Sequence, residues 1–98
     1  MDQEQALGIV RNYKEAIAHL FDTAKVYLYW SYSKGTARPE SDIDVAVIVP
    51  SLKNDWLQLS TRLWVIAPKV DIHIEPVLME ENEPSPLYED VLRSGIAV

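Results

Sequence analysis

Five consecutive apolar residues, Val45-Ala-Val-Ile-Val49, constrain this chain more than any other feature. Three of the five are valines, whose stiff branched side chains suit a pleated surface. A strand points alternate side chains to opposite faces, so a run without polar alternation is covered on both sides. Asp42 and Asp44 stand immediately before it, two residues apart and hence on one face. At about 4 Å, two carboxylates repel by roughly 4 kcal/mol at the effective dielectric of a protein surface. Holding them together suits a cation, and hard oxygen ligands suit magnesium.

The other bulk properties narrow the classes. The 98 residues are expected to form one domain, 1–98, with one modest core. Cysteine is absent, which excludes disulfides, thiolate metal sites and thiol catalysis. The acidic start, Met1-Asp-Gln-Glu, is the wrong opening for a secretory signal, and no apolar run approaches a membrane span. A cytoplasmic protein with no membrane association is the expectation. Net charge is −6, with seven acids against Arg93 alone from Asp71 onward. Nucleic-acid affinity rests on phosphate neutralisation by Lys and Arg, so direct DNA or RNA binding is not expected. An acidic C-terminal third fits a solvated surface or a dock for a basic partner.

Apolar positions at Ala6, Ile9, Val10, Tyr13, Ile17, Leu20 and Phe21 predict a helix over 3–22, with Asp2 as N-cap and Gln5 completing a capping box. Lys25–Trp30 reads as a buried strand and Ser31–Ser41 as a polar connection. The second strand runs from Asp42 to Val49, where Pro50 ends it. A helix is expected over Leu52–Ile66, closed by Pro68. Val70–Pro76 alternates apolar with polar and reads as a third strand. A Glu- and Pro-rich loop (Glu80–Pro86) precedes a short helix, Leu87–Arg93, stopped by Gly95, and Ile96–Val98 is a candidate terminal strand. This order predicts an α/β (α+β) domain, a small mixed sheet flanked by helices. The pattern leaves the direction of strand pairing open.

Asp71, on the expected third strand, is the candidate third acid if that strand neighbours the second. Three converging carboxylates could hold Mg²⁺, and the third could accept a proton from an attacking hydroxyl. Ser31 ends the first strand; if a short helix begins there, free N–H groups make an anion site. Lys34 and Arg38 in the same connection are candidates for phosphate contacts. His19 reads as a surface or edge histidine and His73 as structural.

Together, Trp30-Ser-Tyr-Ser-Lys-Gly-Thr-Ala-Arg-Pro-Glu-Ser-Asp-Ile-Asp44 resembles the signature of the polymerase β-like nucleotidyltransferase superfamily: Gly-Ser, ten residues, Asp-x-Asp. More narrowly, the chain resembles a minimal nucleotidyltransferase (MNT-domain) protein. The resemblance implies the nucleotidyltransferase fold and Mg²⁺-dependent attack of a hydroxyl on the α-phosphate of a nucleotide such as ATP. It implies Asp42, Asp44 and Asp71 as metal ligands and catalytic acids, with Ser31 on the terminal phosphates. It also implies an antitoxin role beside a helical HEPN-domain toxin, with AMP transferred to a hydroxyl of that partner. Trp30 departs from the pattern, standing where the family has glycine. Forcing a non-glycine residue into glycine's conformations costs roughly 1–3 kcal/mol. A second reading is therefore a catalytically impaired module that neutralises a partner by occlusion. Transfer to an aminoglycoside-like antibiotic fits less well, since the chain has no room for a substrate domain. Self-association is left open.

Overall fold

The computed structural model describes residues 2–29, 42–52, 55–83 and 85–98. Helix α1 spans Gln3–Ile17 and opens with the expected capping box: the Gln5 amide donates to Asp2 Oδ1 (2.8 Å), and the Asp2 amide to Gln5 Oε1 (2.9 Å). It ends five residues earlier than the apolar spacing predicts, tightening into a 3-10 turn over Ala18–Leu20. Strand β1 (Lys25–Tyr29) follows, then β2 (Ile43–Val49), helix α2 (Trp56–Val70), β3 (Ile74–Glu80), helix α3 (Pro86–Ser94) and the short β4 (Ile96–Ala97).

The sheet order is β3-β2-β1-β4. β1 pairs antiparallel with β2 and β4, whereas β2 and β3 run parallel through α2. The sheet is therefore mixed, as expected, and β2 is one of its two central strands. On one face Val26, Leu28, Ile43, Val45, Val47, Val49, Ile74 and Leu78 pack under α1 and α2. On the other, Tyr29, Ala46, Ile48 and Met79 meet Val91 of α3. This double covering is what the unbroken run in β2 requires. The Tyr13 hydroxyl donates to the Leu63 carbonyl (2.8 Å), tying α1 to α2 inside the core.

Both ends of α2 and of β3 also differ from the sequence expectation, and each shift has a physical reason. Helix α2 begins at Trp56 instead of Leu52; Leu52 is buried as an anchor of the preceding loop, only 6% exposed. It also runs through Pro68, which falls in its last turn and forfeits a single helical hydrogen bond. The Asp71 amide still donates to the Ala67 carbonyl (3.0 Å). In consequence β3 starts at Ile74, not Val70, and continues past Pro76. Its odd-numbered neighbours face β2: the Ile43 amide donates to the His73 carbonyl, and the Glu81 amide to the Val49 carbonyl. Even-numbered residues face the open edge, so the missing N–H of Pro76 breaks no rung. There the Trp56 indole donates to the Leu78 carbonyl (3.2 Å), occupying part of the exposed edge.

At the chain's end, the Gly95 amide donates to the Val91 carbonyl (2.7 Å). A Cβ at position 95 would lie 2.5 Å from that oxygen, which is why glycine stops α3. No helix among the described residues is long and apolar enough to cross a membrane.

Candidate functional site

The carboxylates gather where β2 and β3 begin, on the face shared with α3. Asp44 alternates with Ala46 and Ile48 on that face, and Asp42 stands just before the strand. The parallel register sets Asp44 beside Glu75, while the antiparallel register sets it beside Tyr29. Tyr29, Asp44 and Glu75 thus form one row across three strands.

Their electrostatics follow from the crowding. The Asp44 carboxyl is pushed from 3.8 up to about 6, first by burial and then by the charges of Glu75 and Asp42. Glu75 is raised as well, by loss of solvent and by the charge of Asp42, with which it hydrogen-bonds. Burial, followed by the charges of Asp44 and Glu75, lifts the Tyr29 hydroxyl to about 12. Asp44 and Glu75, each raised by a neighbouring carboxylate, hold charge they would rather lose.

Asp71 takes a different place from the one expected. It lies outside β3, closing α2 with extended backbone. Its Oδ1 accepts from the His73 amide (2.8 Å) and pairs with His73 Nδ1 (2.8 Å). Asp71 thus stands three residues before β3 begins, and the residue in register with Asp44 is Glu75. The segment Asp71-Ile-His-Ile-Glu75 offers acids four residues apart, and strand register alone decides between them. Tyr29 was likewise missed, as a tyrosine in an apolar strand signals only packing. Ser31, Lys34, Arg38 and Trp30 lie outside the described residues.

Among the described residues no three His, Cys, Asp or Glu side chains are placed to form a metal cage. The donor set still fits magnesium, which usually keeps several waters and binds through one or two carboxylates plus substrate phosphates. Asp42 and Asp44 supply those carboxylate oxygens at the sheet's edge. Mutual repulsion among the acids is what a divalent cation would relieve.

Comparison with known proteins bears on the family and the fold. Residues 10–98 match the family model described as a nucleotidyltransferase domain. A Methanocaldococcus jannaschii protein, provisionally assigned as a protein adenylyltransferase, is 26% identical over 101 residues, spanning 96% of this chain and 99% of that protein. The crystal structure of a Sulfolobus solfataricus protein, provisionally assigned as a nucleotidyltransferase, superposes with a TM-score of 0.70 at 19% identity. That match covers 97% of this chain and 80% of the other. A chain from a toxin–antitoxin crystal structure with AMP-PNP gives a TM-score of 0.53 at 24% identity, covering 99% of this chain and 72% of that one. At these identities the two solved structures speak for the fold alone.

Proposed function

This chain belongs to the nucleotidyltransferase domain family, and we propose that it transfers a nucleotidyl group, in a Mg²⁺-dependent reaction, from ATP to a hydroxyl of a protein partner, breaking the α–β phosphoanhydride bond and releasing pyrophosphate. The carrying observation is the row of carboxylates: Asp42, Asp44 and Glu75 crowded on one sheet face, with the Asp44 pKa at about 6. Asp42 and Asp44 would hold the metal, which would supply charge neutralisation to the triphosphate. Glu75 is the better-placed third acid; the role first expected of Asp71 becomes that of a positioning residue, fixing the turn through His73. Ser31, Lys34 and Arg38 remain the proposed nucleotide contacts, on the strength of the sequence signature.

Two comparisons support the choice of donor and acceptor. The relative from Methanocaldococcus jannaschii, matched over 99% of its length, is provisionally assigned as a protein adenylyltransferase. A similarly folded toxin–antitoxin chain was crystallised with AMP-PNP. The biological reading is an antitoxin whose partner is a helical HEPN-domain toxin, acting in the cytoplasm. Incubation with Mg²⁺, labelled ATP and the product of the adjacent gene tests the proposal. Label on the partner, lost with Asp44→Asn, supports it; absence of label, with Asp44→Asn behaving identically, overturns it. Trp30, at the family's glycine position, motivates the second reading of neutralisation by occlusion. Tight binding of Mg-ATP by the unaltered protein would remove the reason for preferring it.

A further inference from the structure

Helix α2 turns an apolar stripe to solvent. Leu57 is 72% exposed, Trp64 50% and Val65 54%, and Ile72, just past the helix, is 80% exposed. At the helical period Leu57, Thr61, Trp64, Val65 and Pro68 share one outward face. Thr61 joins the stripe as an apolar group, because its hydroxyl is engaged with the Leu57 carbonyl (2.8 Å). Contiguous exposed apolar surface of this kind marks an interaction site.

The charge around the stripe says what kind of partner fits. The fifteen residues of α2 contain no acid, although the chain carries a net charge of −6. Arg62 and Lys69 are exposed along one flank. Among the described residues the ion pairs are Lys25–Glu81, Asp71–His73 and Asp90–Arg93, so neither flanking cation is paired. We infer that the outer face of α2 is a docking surface for an amphipathic helix of a partner protein, with carboxylates beside its apolar stripe.

Other occupants fit less well. Two copies packed α2 against α2 would set four cations along one seam, and like charges there are repulsive. Recognition of an anionic bilayer by charge calls for clusters of 4–8 Lys/Arg, more than this face carries. Position adds a functional consequence. α2 packs on the sheet face opposite the carboxylates, so docking leaves them open. The stripe ends at Ile72, two residues before β3 begins beside Asp42 and Asp44. A helix lying on it would point one end toward the carboxylates.

This surface goes beyond the proposed transfer, and it is tested without nucleotide, so the two can fail separately. The probe is a pair of designed helical peptides sharing one leucine stripe, flanked by glutamates in one and by lysines in the other. Binding is read from the blue shift of tryptophan emission, with Trp64→Phe assigning the signal. The glutamate peptide should bind at least tenfold tighter at low salt. Leu57→Asp should abolish binding, while Arg62→Glu with Lys69→Glu should reverse the preference; circular dichroism verifies that both variants fold. Equal affinity for both peptides would overturn the inference. So would dimerisation of the unaltered chain that Leu57→Asp abolishes, or binding to phosphatidylserine vesicles in preference to either peptide.

Discussion

Strand β2 has two faces that obey different rules. Ile43, Val45, Val47 and Val49 point under α1 and α2, and none is more than 2% exposed. Asp44, Ala46 and Ile48 point the other way, where α3 covers the last two and the carboxylate is left at the end. One face is filled with hydrocarbon and serves only cohesion. Across the other, β1 and β3 place Tyr29 and Glu75 on either side of Asp44, at a cost in electrostatic repulsion. A single seven-residue strand thus anchors the fold and aims the candidate chemistry, and its period of two keeps the tasks apart.

The sharpest way to break this division is to damage the cohesive face. Leu63→Ala, on the inner face of α2 that packs against this side of the sheet, should destabilise the protein by about 2–5 kcal/mol. Urea unfolding would report it, while Mg-ATP affinity of the folded fraction stays within a factor of two or three. The opposite experiment is Asp44→Asn. Removing one metal ligand should lower nucleotidyl transfer on the order of 100-fold, since a metal contributes several kcal/mol of transition-state stabilisation. The same change should leave the thermal midpoint at pH 7.5, without divalent cation, equal or higher, because a carboxylate that resists ionisation has gone. A loss of both activity and stability would deny that the faces are separable.

A smaller effect concerns pH. The folded-state pKa of Asp44 lies above its ordinary value, so its contribution to stability is complete below about 3.8 and is lost as pH rises through about 6. Without divalent cation, stability should fall across that window by about 1–2 kcal/mol, after allowing for solvent screening. Mg²⁺ should oppose the fall, and Asp44→Asn should flatten it; thermal melts from pH 4 to 7 check both. The smallest effect lies on α1. A Cβ at Gly8 meets nothing within 4 Å, so Gly8→Ala should stabilise by about 0.5–1 kcal/mol with no change in nucleotide affinity.

Local chemistry made part of this legible in the sequence. The capping box of α1, the double burial of β2 and the glycine stop of α3 each depend on residues a few positions apart. The two prolines misled because a breaker's meaning depends on its surroundings. Pro68 sits in a last turn and Pro76 on an open edge, where neither lost hydrogen bond matters greatly. Reading them as terminators moved the third strand and, with it, the acid set beside Asp44. Glu75 becomes visible only once the parallel register is known, because pairing between distant segments chooses among acids on one alternating stretch. The stripe on α2 was equally hidden: its period says which residues share a face, and packing says which face is left uncovered.

Isothermal titration with Mg-ATP, run in parallel on the unaltered chain, Glu75→Gln, Asp44→Asn and Asp71→Asn, tests the central claim most directly. Asp71→Asn keeps an oxygen able to accept from the His73 amide, so its turn should persist. The account predicts that Asp44→Asn and Glu75→Gln weaken binding tenfold or more, while Asp71→Asn stays within about threefold. Loss of binding in Asp71→Asn, with Glu75→Gln matching the unaltered chain, would contradict it.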